Sequence, residues 1–475
     1  MKIKHIFLTA VLFSLSSLCL NAATYTVTNT NDNGPGSLRQ AVLDANATAA
    51  DDAIIFNISG CPNGVCTIVL TSGRLDVAGN GDLNISNASG PGGLIISGNN
   101  AGTIIYAVGG SALTLDGVTL EDSIAGSYEC AITTETTRVL TLLTSVLREN
   151  VCALLNLGQT NVIYSKISGN GFATENYGAL EIFRSEISGN SSPGILSYGG
   201  FVAIRDSTIA NNTGFYGGGI ALTYFYPGLK SSDHAINFNA VIENSTISGN
   251  QASYGGGIFF DEWVVKITNT TVTMNSAENF AGIGAFDGGQ LFVRNSIVAG
   301  NPTSIGPEMI VGSSTDLGNN IIGGSPMLGL LASNGGPTRT HALLADSPAI
   351  DAGNNCVLTE NGCGDGNQTL GFDQRGYSRV GIVDIGAFEF SASPAVFDLA
   401  GRVTTSAGLA VRKARVTLTD GAGNTRHTLT NPFGYFRFQN VSAGTYTVTV
   451  RSKRYGTVST TIMVSSSITN LDLVL

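Results

Sequence analysis

Asn244-Ser-Thr-Ile-Ser-Gly-Asn-Gln-Ala-Ser-Tyr-Gly-Gly-Gly-Ile258 is the stretch that decides the fold, because the chain carries an earlier copy, Asp206-Ser-Thr-Ile-Ala-Asn-Asn-Thr-Gly-Phe-Tyr-Gly-Gly-Gly-Ile220. Nine of the fifteen positions are identical. Fainter copies of its Thr-Ile-x-x-Asn core place apolar anchor residues at steps of 20 to 27 residues, with one longer step of 38. The anchors are Leu120, Leu147, Ile167, Ile187, Ile209, Ile247, Val272 and Val298. A unit that recurs at this spacing is the signature of a solenoid.

The period fits a circuit of short strands. Three strands of about four residues, rising ~3.3 Å per residue, need roughly this length of chain with their turns. Charged residues make up only 12% of the chain, which suits stacked rungs, because like charges about 4.8 Å apart repel. The frame of a leucine-rich repeat is missing, and a β-propeller blade needs about 40 residues. We predict an all-β chain. Residues 67–322 resemble a right-handed parallel β-helix, and we expect them to form one.

An asparagine follows seven of the eight anchors by three residues, where the chain leaves the strand. Asparagine tolerates left-handed backbone, and its amide can bond to the asparagine one rung away. We therefore expect a structural ladder, with a binding role as the alternative. Its members are Asn150, Asn170, Asn190, Asn212, Asn250, Asn275 and Asn301. The Gly-Gly-Gly runs 217–219 and 255–257 predict tight corners.

The N-terminus has the composition of an export signal. A basic start, an apolar run from Ile6 to Leu20 and small residues up to Ala23 predict a secretory signal peptide over residues 1–23. A membrane anchor would need a longer apolar run.

Residues 24–66 are expected to form the N-terminal cap and the first strands. Ser37 to Ala45 has the period of an amphipathic helix, which can cover the open core of a first rung. Overlapping this stretch, Gly36-Ser-Leu-Arg-Gln-Ala41 resembles the Cys-Ser-Leu-Arg-Glu-Ala signature of bacterial secreted β-helix proteins, with two of six positions changed.

Six cysteines follow the predicted signal: Cys61, Cys66, Cys130, Cys152, Cys356 and Cys363. An even number in an exported chain predicts disulfides. Metal binding is the alternative, but no histidine lies near any of the six. The first two and the last two suit short loop closures, which leaves the middle pair for each other.

The segment 323–390 contains Ser347-Pro-Ala-Ile-Asp-Ala-Gly353 and Asp373-Gln-Arg-Gly-Tyr377, followed by Asp384-Ile-Gly-Ala-Phe-Glu389. These motifs are similar to the end module of bacterial β-helix proteins of the choice-of-anchor Q type. The resemblance implies a C-terminal cap whose loops close the last rung.

Polar groups in this segment raise the question of a metal or catalytic site; they are His341, Asp351, Asp365, Asp373 and Arg375. We expect Arg375 to form a structural ion pair with Asp373 or Asp351. No cofactor and no catalytic residue is predicted. Calcium is the alternative, because Asp365, Asn367 and Asp373 offer oxygen ligands, although they miss the EF-hand frame.

Residues 395–475 alternate between apolar and polar residues over several short runs separated by turns, which predicts a small antiparallel β-sandwich. Gly401-Arg-Val403, Asn431-Pro-Phe-Gly-Tyr-Phe-Arg-Phe438 and Gly444-Thr-Tyr446 resemble the carboxypeptidase regulatory-like domain. The resemblance implies an accessory or binding module and not a peptidase.

The longest step of the repeat contains an insertion, residues 223–235, which must loop out over the surface. Its aromatics Tyr224, Phe225 and Tyr226 could stack on sugar rings, although they could equally fold down on their own loop. One rung later, Asp261, Glu262 and Trp263 could share that face. These six residues are the candidate ligand-binding site.

We predict an exported, noncatalytic structural or adhesin-like protein of the cell surface, with extracellular polysaccharide or surface components as partners. A net charge of −10 and the lack of a basic stripe argue against nucleic acid, and no membrane span is expected once the signal is removed. A polysaccharide-degrading lyase or glycoside hydrolase is the alternative. It lacks support because the chain contains no Gly-His-Gly element and only one Asp-Asp pair, Asp51-Asp52.

Overall fold

The chain forms a parallel β-helix followed by a β-sandwich in the computed structural model of the protein. The structure describes residues 22–79, 81–124, 130–223, 239–286, 288–305, 309–310, 313–364, 368–390, 396–420, 423–442, 444–464 and 467–475. Most of the predicted signal peptide therefore lies outside the described residues. The predicted fold class is confirmed.

Three long parallel sheets run along the axis of the β-helix. The first sheet has 12 strands, which are Thr24–Val27, Asp52–Phe56, Leu83–Ser86, Ala112–Asp116, Val139–Leu143, Gln159–Ile163, Ala179–Phe183, Phe201–Arg205, Asn239–Glu243, Val264–Thr268, Gln290–Arg294 and Ser313–Asp316. The second sheet has 11 strands, which are Cys66–Val69, Leu94–Ser97, Thr119–Glu121, Val146–Arg148, Lys166–Ser168, Glu186–Ser188, Thr208–Ala210, Thr246–Ser248, Thr271–Thr273, Ile297–Val298 and Ile321–Ile322.

The third sheet has 10 strands, which are Leu75–Val77, Ile105–Ala107, Ile132–Thr134, Cys152–Asn156, Phe172–Asn176, Ile195–Ser197, Ile220–Leu222, Ile258–Phe260, Ile283–Ala285 and Met309–Ile310. A short fourth sheet falls between the second and third in chain order. It consists of Gln251–Tyr254, Ser276–Asn279 and Thr303–Ile305.

The anchors of the repeat stack in register in the second sheet. Leu147 pairs with Leu120 and Ile167, and the series continues rung by rung to Val298. Every anchor is fully buried. Since burial of one such side chain stabilises the fold by about 1.5–3 kcal/mol, this column is a main source of solenoid stability.

The asparagines form the predicted type of ladder. Asn212 Oδ1 accepts hydrogen bonds from the backbone nitrogen of Asn190 at 3.1 Å and from its Nδ2 at 2.8 Å. The same pair of bonds links the other successive members. The expected left-handed backbone, however, falls on the preceding residue, such as Gly169 (φ +68°) or Gly249 (φ +68°), and not on the asparagine. The left-handed residue is glycine in four of the seven turns and Glu149, Asn211 or Met274 in the others, while the asparagine supplies the amide.

Two more polar stacks follow the axis. Ser165 Oγ accepts from the backbone nitrogen of Ser145 at 3.0 Å, and Ser185 does the same for Ser165. At another corner, Asn156 Nδ2 donates to Asn176 Oδ1 at 2.7 Å. Buried polar groups at the corners thus find partners one rung away, as burial requires.

The N-terminal cap contains one α-helix, Leu38–Asn46, whose N-cap hydroxyl, on Ser37, accepts from Gln40 N. Its buried face, with Leu38 and Val42, joins the core of the β-helix. The helix therefore covers the apolar interior that the first rung would otherwise expose. No helix within the described part of the chain is long and apolar enough to cross a membrane.

The described residues of the 323–390 segment lie along the outer face of the second sheet. They begin with a hairpin of Leu328–Ala332 and Thr340–Leu343. Threonines of successive rungs meet them: Thr208 Oγ1 donates to Arg339 O at 2.6 Å, and Thr246 Oγ1 donates to Gln374 Oε1 at 2.6 Å.

The closure of the last rung by this segment stays a prediction. Ile321, in the last strand of the second sheet, packs against an apolar cluster that contains Leu343 and Ile385 of the segment. Ser313–Asp316, the last strand of the first sheet, is exposed at all four residues.

Buried charges fasten the segment to the β-helix. Arg379 Nη1 pairs with Glu389 at 2.8 Å, and its Nη2 donates to Asn244 Oδ1 at 2.8 Å. Arg375 pairs with Asp373 at 2.6 Å, the structural role expected for it. His341 Nε2 lies 2.8 Å from Ser248 Oγ, so this histidine also serves packing.

The C-terminal sandwich has two sheets. One contains Val396–Thr404, Tyr435–Ser442 and Ile468–Val474, and the other contains Arg415–Asp420, Thr425–Leu429, Gly444–Ser452 and Gly456–Val464. All pairings are antiparallel except that of Val396–Thr404 with Ile468–Val474. Their inner faces enclose a separate apolar core.

Three disulfides join Cys61 to Cys66, Cys130 to Cys152 and Cys356 to Cys363. This is the arrangement that loop closure suggests. The first and third close loops, whereas the second links neighbouring rungs, 22 residues apart in sequence.

Candidate functional site

A groove of about 630 Å³ lies on the outer face of the third sheet. Its floor consists of Leu196, Ala221 and Phe259, which occupy equivalent outward positions on successive strands. Because these positions stack in register, the groove runs parallel to the axis of the β-helix.

Aromatic side chains line much of this groove. Phe172 begins a strand of the third sheet, and Phe215 and Tyr216 precede another. Tyr198 and Phe286 each directly follow a strand of this sheet. Phe215 is 62% exposed, Phe286 41% and Phe172 38%. Large aromatics at this exposure leave ring faces available to a ligand.

The rings at one end of the groove support each other. Tyr216 stacks on Phe259 with centroids 4.7 Å apart, and Phe286 meets Phe259 edge-on at 4.8 Å. Tyr216 also lies 5.5 Å from Tyr254, its counterpart one rung later. Such contacts add about 0.5–1.5 kcal/mol per pair, so this end is held in a fixed geometry.

The repeat itself positions these tyrosines. Gly217, directly after Tyr216, has φ +56°, and a Cβ there would lie 2.1 Å from Ile220 O. Gly255 follows Tyr254 with φ +63°, and a Cβ there would lie 2.5 Å from Ile258 O. Only glycine allows this corner. Tyr216 lines the groove, and Tyr254 contacts Tyr216 from one rung later.

The structure places the predicted ligand-binding residues in different environments. Asp261 lines the groove. Trp263 is fully buried in the core of the β-helix, so its assignment to a binding face is wrong. Strand alternation explains this, because one residue shift moves a side chain to the opposite face. Glu262 is exposed, beside Gly288 and outside the groove.

Tyr224, Phe225 and Tyr226 lie outside the described residues. The sequence does place them directly after Thr223, which lines the groove. The aromatics missed by the sequence reasoning are Phe172, Tyr198, Phe215, Tyr216, Phe259 and Phe286. The sequence signal that could have found them is an aromatic residue at an outward position of a strand in the third sheet, or one beside the Gly-Gly-Gly corner.

Acidic groups are sparse at the groove. Asp261 is the one carboxylate among its described lining residues, and no cation lines it in the same part of the chain. Glu175 lies on the outer face of the same sheet, and burial raises the pKa of its carboxyl. Glu175 is paired in register with Leu196, which is followed on the next two strands by Ala221 and Phe259. Glu175 and Phe259 are therefore three rungs, or about 14 Å, apart along the axis. Glycoside hydrolysis needs two carboxylates within about 5–9.5 Å.

Metal ligands do not converge in the part of the chain that the structure describes, where no group of three His, Cys, Asp or Glu side chains could hold an ion. Asp373 accepts hydrogen bonds from the backbone nitrogens of Arg375, Tyr377 and Glu389. Its carboxylate is thus engaged in packing the segment. Asp365 and Asn367 fall outside the described residues.

Residues 398–475 match the family model of the carboxypeptidase regulatory-like domain. This match covers the β-sandwich and confirms the resemblance seen in its sequence. No curated protein matches the chain.

Proposed function

We propose that this is an exported, noncatalytic protein of the cell surface that binds extended carbohydrate chains along the groove of the third sheet. The observation that carries the proposal is the row of exposed aromatic rings along the axis, together with a single described carboxylate. Ring faces stack on the apolar faces of sugars, and a carboxylate accepts hydrogen bonds from hydroxyls.

The repeat of the groove suits a polymer. Successive rungs are about 4.8 Å apart, a step comparable to one sugar ring in an extended chain. Ser191, Thr213 and Thr223 line the same groove, and their hydroxyls could donate hydrogen bonds to a glycan or accept them. A straight groove of this composition favours binding of an extended chain over enclosure of a small molecule.

Export and surface attachment rest on separate features. Disulfides persist in oxidising compartments, which supports secretion by the predicted signal peptide. The motifs of residues 323–390 support an end module of the choice-of-anchor Q type, here packed against the side of the β-helix. The adhesin-like role follows from a rigid stalk that displays a binding groove.

Titration calorimetry on a panel of neutral, acidic and amino polysaccharides tests the binding. Phe215→Ala and Phe286→Ala each remove a partly exposed ring, and we expect a loss of about 1 kcal/mol, or five-fold in affinity, for each. Phe433→Ala is the matched control, because Phe433 is 69% exposed but lies on the sandwich.

Equal affinities for all three variants would contradict the proposal. So would release of reducing ends or unsaturated products from any polymer of the panel, if Asp261→Asn abolished that release. The second result would establish the enzyme alternative.

A further inference from the structure

The sandwich is basic in an otherwise acidic chain. The chain contains 24 Lys and Arg and 34 Asp and Glu. Residues 396–475 contain nine of the basic residues and three of the acidic ones, a net charge of +6, which leaves −16 for the rest. A sign difference this large between two parts of one chain points to an anionic partner for the basic part.

Six of the nine cations gather at one end of the four-stranded sheet. Arg415 and Arg451 are directly opposed on antiparallel strands. The adjoining loops add Arg412, Lys413, Lys453 and Arg454. None of these six has an ion-pair partner among the described residues. Opposed like charges destabilise a sheet, so this grouping costs folding stability and indicates a role outside folding.

Apolar side chains protrude at the same end. Leu429 pairs with Arg415 across the sheet and is 59% exposed. Leu409 and Phe433, which are 65% and 69% exposed, lie on two loops that meet, because a Cβ on Gly434 would be 3.4 Å from Ala410 Cβ. We call these cations and apolar side chains together the basic tip.

The basic tip points away from the β-helix. At the other end of the same strands, Asp420 is paired with Tyr446, and both line a cleft against Tyr164 and Lys166 of the β-helix. Arg415 lies five residues from Asp420 along the strand, about 17 Å away. The tip is thus the sandwich surface farthest from the solenoid and is open to a large partner.

We propose that the basic tip docks on the surface of an anionic lipid bilayer. The cations would contact headgroup phosphates, while Leu409, Leu429 and Phe433 would enter the boundary of the acyl chains. Peripheral proteins bind through this combination of apolar insertion and electrostatic attraction. A soluble acidic polymer would explain the cations but would leave the protruding apolar side chains without a function.

Co-sedimentation of the full chain with lipid vesicles tests this. We expect binding to vesicles of phosphatidylcholine mixed with phosphatidylglycerol, no binding to phosphatidylcholine alone, and weaker binding at higher salt. Lys453→Ala/Arg454→Ala should weaken binding about 30-fold, and Phe433→Ala about ten-fold. Arg74→Ala/Arg148→Ala is the matched control, because it removes two exposed cations from the β-helix; it should leave binding unchanged.

Equal binding to both kinds of vesicle, or an equal loss in the control, would overturn the proposal. It would also be overturned in favour of a soluble polyanion if polygalacturonate bound as tightly and Phe433→Ala had no effect. Phe215→Ala should bind vesicles like the unaltered protein, which separates this surface from the aromatic groove.

Discussion

Asn212→Ala tests whether the asparagine ladder stabilises the β-helix. Asn212 is 1% exposed, and its Oδ1 is the acceptor for the backbone nitrogen of Asn190 at 3.1 Å. Its Nδ2 donates to Ile187 O at 3.1 Å and to Asn250 Oδ1 at 3.0 Å. Alanine leaves the buried N–H of Asn190 without this acceptor and removes both donated bonds. An unsatisfied buried group costs about 1–3 kcal/mol and each lost bond about 1 kcal/mol, so we expect a total loss of about 3–5 kcal/mol.

Urea unfolding followed by tryptophan fluorescence measures this loss directly. The chain has one tryptophan, Trp263, which is buried in the β-helix core, so the signal reports on the solenoid and not on the sandwich. The midpoint should fall by about 1 M or more. Asn161→Ala is the control, because Asn161 lies on the outer face of the first sheet, where its side chain makes one 3.5 Å contact to Thr141.

The control should lose less than about 0.5 kcal/mol. Asn212→Asp should be at least as destabilising as Asn212→Ala, because it sets a second oxygen against Ile187 O and Asn250 Oδ1. If Asn212→Ala behaved like the control, the ladder would be a consequence of the fold and not a cause of its stability.

Two further predictions concern the segment 323–390. Arg379→Met breaks a buried ion pair with Glu389 and should cost about 3–5 kcal/mol, seen as faster hydrogen exchange in residues 323–390. The control is Arg148→Met, because Arg148 is paired with Glu121 but is more exposed, and it should cost less than about 1 kcal/mol. Equal exchange in the two variants would refute the stabilising role of the Arg379–Glu389 pair. Burial, and then the charge of Glu389, raise the pKa of Asp384 to about 6, so the folded protein holds a proton that the unfolded chain releases near pH 4. The free energy of unfolding should therefore fall by on the order of 1–2 kcal/mol as the pH rises from about 4 to 6. Asp384→Asn should flatten this part of the profile of unfolding free energy against pH, and an unchanged slope would contradict the prediction.

Local sequence determined the repeating architecture. The spacing of the anchors, the asparagine three residues later and the glycine corners each depend on residues close together in the chain, so the rung and its core column follow from sequence. The buried position of Trp263 shows the limit of this reasoning, because a shift of one residue in strand register decides whether a side chain points into the core or outwards.

The groove could be predicted only in part. Asp261 was within reach of sequence reasoning, since it follows a strand of the repeat. The aromatic row was not, because Phe172 and Phe286 are brought together only by stacking of rungs between them. Tyr216 and Tyr254 belong to the repeat, and Tyr216, half-buried at its corner, lines the groove, so the repeat contributes to the binding surface as well as to the core.

Sequence by itself determined the β-helix, its polar ladder and the sandwich, because these follow from periodicities that one segment expresses alone. Only the tertiary structure decided where residues 323–390 pack, which aromatics share a groove and which cations share a tip. Those features join residues from separate rungs or loops, and their juxtaposition depends on register and strand direction. The basic tip shows this most clearly: no stretch of the sequence is a basic stripe, yet antiparallel pairing sets Arg415 against Arg451.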